Sequence, residues 1–353
     1  MGVEGQGASQ WEASSVKPVD TGVMASHAMQ KRFRTSLIHL GLGAGAVLMC
    51  FPFFWMVLTS LKSPLEVLDV DNWWPQEKTY IQMEASPTSD KKLQQVRVLE
   101  DLGTRVRVKD LRTGKKSEVP KASLEHRTWL FSNYATAWTK VQPSFTRYFL
   151  NSFFIAVVTT AGQVFTSILA AYAFVFFTFP FRNALFVIFL ATMMIPQETL
   201  LVPNYLILSK LGWIDTYMAL IVPWLAGVFG IFMLRQFFSQ LPRELFDAAM
   251  IDGCSKFGFL FRILVPLSLP PIITISIFTF LGSWNSLLWP LIVTNSQEMR
   301  VIQVGLSYFS QAEGTQWELL MAASTFCILP LVVFYILAQK YFVQGEAASG
   351  LKG

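Results

Sequence analysis

Six stretches of this chain lose nearly all their polar residues for about the length of a membrane crossing. They run roughly over residues 37–61, 148–177, 184–208, 217–238, 271–294 and 319–342. About 20 consecutive apolar residues make a helix long enough to span the hydrocarbon layer of a bilayer, whereas a buried helix of a soluble protein needs only about 10–14. The pattern therefore predicts an all-α polytopic membrane protein with six transmembrane helices. The second stretch stops at "FPFRN", where Pro180 and Arg182 end it, and "MMIPQETLLVP" interrupts the third.

Four of the five intervals between the stretches follow this reading simply, and one does not. Residues 62–147 form a long polar interval in which Val96 and Val98, then Val106 and Val108, alternate with polar and charged positions. Strict alternation is the mark of half-buried strands. Asp101–Gly103 and Thr113–Gly114 supply turns between them. A small β-rich subdomain is expected over about 78–127, either as a decoration or as a docking platform for a partner.

Charge gives the chain a direction. Lys31, Arg32 and Arg34 precede the first stretch, while Arg182, Arg235, Arg243, Lys256, Arg262, Lys340 and Lys352 fall in or beside the intervals expected on the same side. Lys210 and Arg300 are the main cations of the opposite short intervals. Short loops rich in Lys and Arg stay cytoplasmic, and a loop as long as 62–147 crosses regardless of its charge. Both termini are thus expected inside and the β subdomain outside. The organisation expected is a disordered cytoplasmic N-terminus over 1–30, a first transmembrane helix over 31–61 and the extracytoplasmic loop over 62–147. The membrane core follows over 148–342, with a polar cytoplasmic loop at about 239–266, and a tail over 343–353. The apolar stretch comes too late and is too long for a signal peptide.

Composition agrees with a bilayer-embedded chain. Of 353 residues 53% are hydrophobic and 14% charged, against about 25% charged in soluble domains. The net charge of +5 comes from scattered basic residues, many of them in the β subdomain, and gives no nucleic-acid footprint. Cys50, Cys254 and Cys327 have neither disulfide nor metal spacing, and His27, His39 and His126 are far apart. No H-E-x-x-H or G-x-S-x-G occurs. "TGKKSE" at Thr113–Glu118 lacks the upstream glycine of a phosphate loop and reads as a turn. No catalytic residue, metal or bound cofactor is expected in this chain.

The polar loop at 239–266 is unusual. Pro242 suits the first turn of a helix, and Glu244 and Asp247 meet the helix dipole favourably near its N-terminus. Leu245, Ala248, Ala249 and Asp252 share a face, part of it small, and Gly253 permits a left-handed turn. Such a face suits insertion into a groove of another protein. A plain helix lying on the bilayer would instead need a larger apolar face and Lys/Arg flanks.

The spacing Asp247-Ala248-Ala249, three residues, Gly253, nine residues, Ile263-x-Val265-Pro266 resembles the EAA signature of binding-protein-dependent ABC importer permeases. Asp247 stands for Glu and Val265 for Leu; both keep the charge or apolar character. "AAMIDGCSKFGFLFRILVPLSLP" is similar to the carbohydrate branch, with Cys254 where Ala is usual. "RYFLNSFFIAVVTTAGQVFTSILAAYAF", "MMIPQETLLVPNYLILSKLGWIDTYMALIVP", "GSWNSLLWPLIV" and the tail "QKYFVQGEAASGLKG" resemble the second, maltose-type permease subunit. The resemblance covers roughly 31–75 and 128–353 and leaves the β subdomain aside. It implies the type I ABC importer permease fold and a role in moving a sugar or oligosaccharide. It also implies a second permease subunit, two cytoplasmic ATPase subunits that use ATP and Mg2+, and an extracytoplasmic solute-binding protein. Glu244, Asp247, Ala248, Ala249, Asp252 and Gly253 would then couple the chain to the ATPase.

For the translocation path, the apolar stretches offer Gln197, Glu198 and Thr199 beside Pro196, and Ser283, Trp284, Asn285 and Trp289 in the fifth. Polar groups at such depth face a cavity or protein rather than lipid, and aromatic faces with amides suit sugars. Helix–helix contacts and interfacial anchoring are the alternative role for the same residues. The 5–6 interval, "NSQEMRVIQVGLSYFSQAEGTQWE", is where the family contacts its binding protein, or it is a passive connector. A secondary transporter or channel would need more embedded ionisable groups. An intramembrane enzyme would need a catalytic constellation, which the stretches lack.

Overall fold

A computed structural model describes residues 21–69, 71–83, 92–141, 143–311 and 314–349. The chain divides into two units, Met1–Trp55 and Met56–Gly353. In the first, the helix Thr21–Ser60 begins, so residues 21–30 of the segment expected to be disordered are helical. The run from Val23 to Arg34 has no Gly or Pro to stop it, and Ala, Met, Gln and Lys propagate a helix well. The rest of that N-terminal expectation, residues 1–20, lies outside the described residues.

Among the described residues four helices are long and apolar enough to cross a membrane: Phe33–Ser60, Phe145–Phe176, Tyr217–Phe238 and Trp317–Leu337. Two further candidates are bent pairs, Arg182–Thr192 with Gln197–Lys210 at 95° and Lys256–Leu267 with Leu269–Trp284 at 80°. The third stretch is therefore not a straight span. The third turns at Met193–Pro196, where Pro196 cannot donate a helical hydrogen bond. The second pair bends at Ser268, three residues before the fifth stretch begins, where the Ser268 hydroxyl turns back to the Leu264 carbonyl at 2.7 Å.

Two more interruptions depart from the expected continuous spans. The helix Leu269–Trp284 stops, and Leu288–Val293 resumes after a gap at 285–287, instead of one span over 271–294. Pro290 has no N–H for the Ser286 carbonyl four residues back. The fourth stretch opens at Leu225–Gly227 between a 3-10 turn and the helix Val228–Phe238. Pro223 likewise leaves the Ala219 carbonyl without its helical partner, and the Trp289 indole Nε1 donates to that carbonyl at 2.9 Å.

The helix Phe145–Phe176 runs through the middle of the second unit. Its first half packs with Trp284, Ile302, Phe309 and Ala323 in one apolar cluster. Its second half joins Leu234, Phe259, Leu264 and Ile275 in another. Glycines let neighbours approach closely: a Cβ on Gly230 would stand 2.5 Å from Ser167 Oγ, and one on Gly305 2.5 Å from the Tyr148 ring.

The interval after the first helix folds into a five-stranded antiparallel sheet. Its strands are β1 (Lys78–Met83), β2 (Lys92–Asp101), β3 (Arg105–Asp110), β4 (Lys116–Pro120) and β5 (Leu124–Arg127), in the order β4-β3-β2-β1-β5. Ile81, Val96, Val106 and Val108 form its core. Val98, expected among them, is 40% exposed beside a bulge at Val98–Glu100. Glu66 and Lys78 pair at 2.6 Å, nearly buried, and join the sheet to the turn that follows the first helix.

Candidate functional site

Two features stand out, one at the C-terminal end of the helix Phe145–Phe176 and one beside its middle.

At the end lies the short helix Glu244–Ile251. Arg243 N-terminal to it and the acidic Glu244 and Asp247 in its first turn are exposed. Its stop is complete: Gly253 N–H donates to the Met250 carbonyl at 3.1 Å and Cys254 N–H to the Ala249 carbonyl at 2.9 Å. That pair of bonds requires a left-handed residue between them, and Gly253 has φ +76°. The loop is held by aromatic packing. Phe246 sits 5.2 Å from Phe176 and 5.1 Å from Phe259, and the Tyr172 hydroxyl donates to the Lys256 carbonyl at 2.9 Å.

The face that remains outward differs from the one sequence spacing outlines. Ala249 is buried against the chain's own core, with Phe246 beside it. Glu244, Leu245, Asp247, Ala248, Ile251 and Asp252 point outward, Ile251 being 86% exposed. Gly253 has open space around it: an added Cβ would meet nothing within 4 Å.

The second feature is a cavity of about 730 Å³ against the middle of the helix Phe145–Phe176. Ser152, Thr159 and Gln163 face it from that helix, and the three helix breaks supply the rest. Gln197 and Glu198 come from the third stretch, Trp224, Ala226 and Gly227 from the fourth, and Ser283, Asn285, Ser286 and Trp289 from the fifth. Unwound backbone at this depth is tolerated where it lines a cavity, and three breaks share one here. The break in the fourth stretch is stitched to the central helix. Thr166 Oγ1 donates to the Leu225 carbonyl at 2.5 Å, and the Gln163 amide lies so close to Gly227 that a Cβ there would be 1.6 Å from its nitrogen. Thr159 Oγ1 is buried without a hydrogen-bond partner among the described residues.

Of the residues that sequence reasoning put forward for a path, the structure brings Gln197, Glu198, Ser283, Asn285 and Trp289 to this wall. Thr199 is elsewhere, its hydroxyl bonded to the Pro196 carbonyl at 2.7 Å. Trp284 is a packing residue. It is 1% exposed, stacks on Phe280, and donates Nε1 to the Cys327 carbonyl at 3.1 Å. Thr159, Gln163, Trp224 and Gly227 were not singled out from sequence. A "GQ" step inside an apolar run and a Gly four residues after Pro223 were the signals available.

The 5–6 interval reaches the wall at Val301 and is bonded to the central helix and to the fifth stretch. Ser152 Oγ accepts from Ile302 N–H at 2.8 Å, and the Asn151 amide donates to the Glu298 and Arg300 carbonyls at 2.7 and 2.9 Å. Asn285 Oδ1 accepts from Gln303 at 3.3 Å. On the 3–4 loop Asp215, in the left-handed region at φ +63°, accepts from Asn295 N–H, Ser296 N–H and Ser296 Oγ at 2.9–3.0 Å. Partial burial pushes its carboxyl pKa up, but those bonds outweigh it and hold the group below the usual carboxylate range.

Comparison with known proteins decides the family. The model of the binding-protein-dependent transport system inner membrane component matches residues 163–346, which include both the cavity breaks and the helix Glu244–Ile251. The chain belongs to this family. It is 35% identical over 230 residues to the arabinooligosaccharides transport system permease protein AraQ of Bacillus subtilis, covering 65% of this chain and 82% of that protein. It is 38% identical over 234 residues to the sn-glycerol-3-phosphate transport system permease protein UgpE of Agrobacterium fabrum, covering 64% and 83%. A chain from the crystal structure of a bacterial ABC transporter involved in the import of the acidic polysaccharide alginate shares the fold. The two superpose with a TM-score of 0.65 at 18% identity, over 89% of this chain and 98% of that one. The inner membrane component described here is thus a mostly helical, multi-pass transport subunit, with a small sheet inserted after its first helix.

Proposed function

We propose that this chain is one of two membrane-spanning subunits of an ATP-driven importer for a sugar, oligosaccharide or related polyol. It crosses the inner membrane six times, counting each bent pair as one crossing, with both termini cytoplasmic and the sheet outside. A solute-binding protein delivers the substrate to the outer side, where the ordered 5–6 interval lies. Two cytoplasmic ATPase subunits bind ATP and Mg2+ and receive the helix Glu244–Ile251. The cavity is this chain's share of the path, with Gln197, Glu198, Ser283, Asn285 and Trp289 on its wall. Hydroxyls and amides there meet sugar hydroxyls, and Trp224 and Trp289 offer apolar faces to C–H groups. The names of the relatives, one for arabinooligosaccharides and one for a glycerol phosphate, support a polyhydroxylated substrate.

The observation that carries this reading is the outward face of the helix Glu244–Ile251. It is a short polar-and-apolar surface locked by a left-handed stop and held from behind by Phe246, as a rigid plug for another protein must be. Purifying the tagged chain in mild detergent should bring down a second multi-span subunit and an ATPase, identified by mass spectrometry. Vesicles holding that complex should accumulate sugar only with ATP. A chain that comes out alone and moves solute without ATP would sink the proposal and favour a secondary transporter. A graded test uses Gly253. Any L-residue there bears a left-handed strain of about 1–2 kcal/mol, the same for Ala as for Leu, because the space is open. Transport that falls further with Gly253→Leu than with Gly253→Ala, while membrane insertion stays normal, reads a partner pressed against that site. Equal loss in both would mean strain alone.

A further inference from the structure

The outer face of the small sheet carries charge in an arrangement that works against the sheet itself. Between Lys78 and Arg127 stand twelve Lys or Arg and seven Asp or Glu, which equals the whole +5 surplus of the chain. Arg97 on β2 is directly opposite Lys109 on β3, and Lys109 is directly opposite Lys116 on β4. Neighbouring strands are ~4.8 Å apart, and like charges directly opposite destabilise a pair. The next outward row on the same three strands is neutralised: Arg107 pairs with Glu100 and with Glu118, each at 2.8 Å. Arg112 and Lys115, on the turn that joins β3 to β4, extend the first row. Among the described residues none of these five cations forms an ion pair, and all are exposed.

The sheet is tied to the chain segment that follows Ser60. The nearly buried Glu66–Lys78 pair clamps β1 to the turn after Ser60, and Lys62 Nζ donates to the Asn72 carbonyl at 2.7 Å. Both connections of the sheet carry aromatic rings. Trp74, before β1, meets Trp129, after β5, edge-to-face at 5.6 Å, and Trp73 and Phe131 are 57% and 68% exposed. Tryptophans are enriched at the headgroup level of bilayers. With the sheet outside, the polyanion within reach of its tether is the headgroup layer of the outer leaflet, and wherever that layer holds acidic lipid it attracts basic residues lying within a Debye length.

We propose that the row Arg97–Lys109–Lys116, with Arg112 and Lys115, is a docking strip for acidic phospholipid headgroups of the bilayer that holds this chain. The strip rests on the bilayer-embedded reading and is independent of how transport is driven, so the two are tested separately.

The test uses the full chain with Cys50, Cys254 and Cys327 replaced by serine and a fluorophore attached through Thr113→Cys, on the turn beside the strip. Quenching by nitroxide-headgroup lipid is compared in vesicles of phosphatidylcholine alone and in vesicles containing phosphatidylglycerol. The strip should approach the phosphatidylglycerol surface, with quenching that disappears in high salt. Each cation removed should lower that association about fivefold, so R97Q/K109Q/K116Q should abolish it and R97K/K109R/K116R should retain it. Because the glutamines relieve like-charge repulsion, the Val106 and Val108 amides should exchange no faster in that variant, which separates loss of docking from unfolding. Equal quenching in the two lipids, or wild-type quenching with the three glutamines, overturns the proposal. So does a salt-sensitive loss of affinity for the soluble binding protein in phosphatidylcholine alone, which would assign the strip to an acidic protein surface.

Discussion

Asn151 is a buried amide with every group engaged: it donates to the Glu298 and Arg300 carbonyls and accepts from the Tyr217 hydroxyl at 2.8 Å. One side chain therefore ties the central helix to the 5–6 interval and to the fourth stretch. Asn151→Ala leaves those partners unsatisfied and should cost about 1–3 kcal/mol, seen as a lower unfolding temperature of the purified complex. Asp215 adds a pH-dependent tie. Its folded pKa lies below the unfolded one, so its stabilisation is full above the ordinary carboxylate range and is lost as pH falls through the folded value. Hydrogen exchange at Asn295 and Ser296 should therefore rise, beyond the intrinsic effect of pH, as the medium is acidified into that range. Asp215→Asn, which keeps an acceptor oxygen without the proton equilibrium, should remove that dependence. In sequence, Asn151 was visible as a polar residue inside an apolar run, but its partners lie 66 to 149 positions away and no local pattern names them.

At the scale of elements, apolar length shows where helices lie and says little about where they bend. Pro196 within "MMIPQETLLVP" marked the third break because polar residues follow it. The fourth break at Leu225–Gly227 is apolar on both sides. It is fixed by a carbonyl that Pro223 cannot serve and that Trp289, on a different stretch, takes up. A bond between distant segments decides it, and hydropathy carries no such information. The loop at 239–266 was more legible, because capping and turn chemistry are local: the acidic first turn and Gly253 were read in place, although the helix starts at Glu244, after Pro242 rather than with it in the first turn. Ala249 was assigned outward because spacing alone cannot tell which side of a short helix meets its own core. The close approach of the second and fourth stretches is testable. Gly230→Leu would drive a side chain into Ser167 and Ile275, which stand 2.5 and 3.2 Å from a bare Cβ. Overpacking of this kind costs typically about 1–3 kcal/mol, and Gly230→Ala should be milder. Yield of monodisperse protein after detergent extraction is the measure.

Across the whole molecule, one helix links the cavity to the loop that carries the helix Glu244–Ile251. From Ser152, which holds the 5–6 interval, to Tyr172, which holds the loop at 239–266, the central helix spans about 30 Å at ~1.5 Å per residue, passing Thr159 and Gln163 on the cavity wall. A rigid connection of that length can carry a displacement at one end to the other. The family itself was legible because the spacing from Asp247 to Pro266 lies within one short loop and survives as sequence. The cavity was half legible, since it is made by convergence of breaks that sequence shows only in part. The outward face of the helix Glu244–Ile251 has one more consequence. Ile251 at 86% exposure and Leu245 at 43% are a standing liability for a chain made without the ATPase proposed above, because exposed apolar residues invite aggregation and degradation. Expressed alone, the subunit should turn over faster than when the ATPase is co-expressed, and Ile251→Ser should lengthen the lifetime of the solitary chain in a pulse–chase. The same residue would then serve as a check on stoichiometry, marking for removal every copy that has not found its place in an assembly.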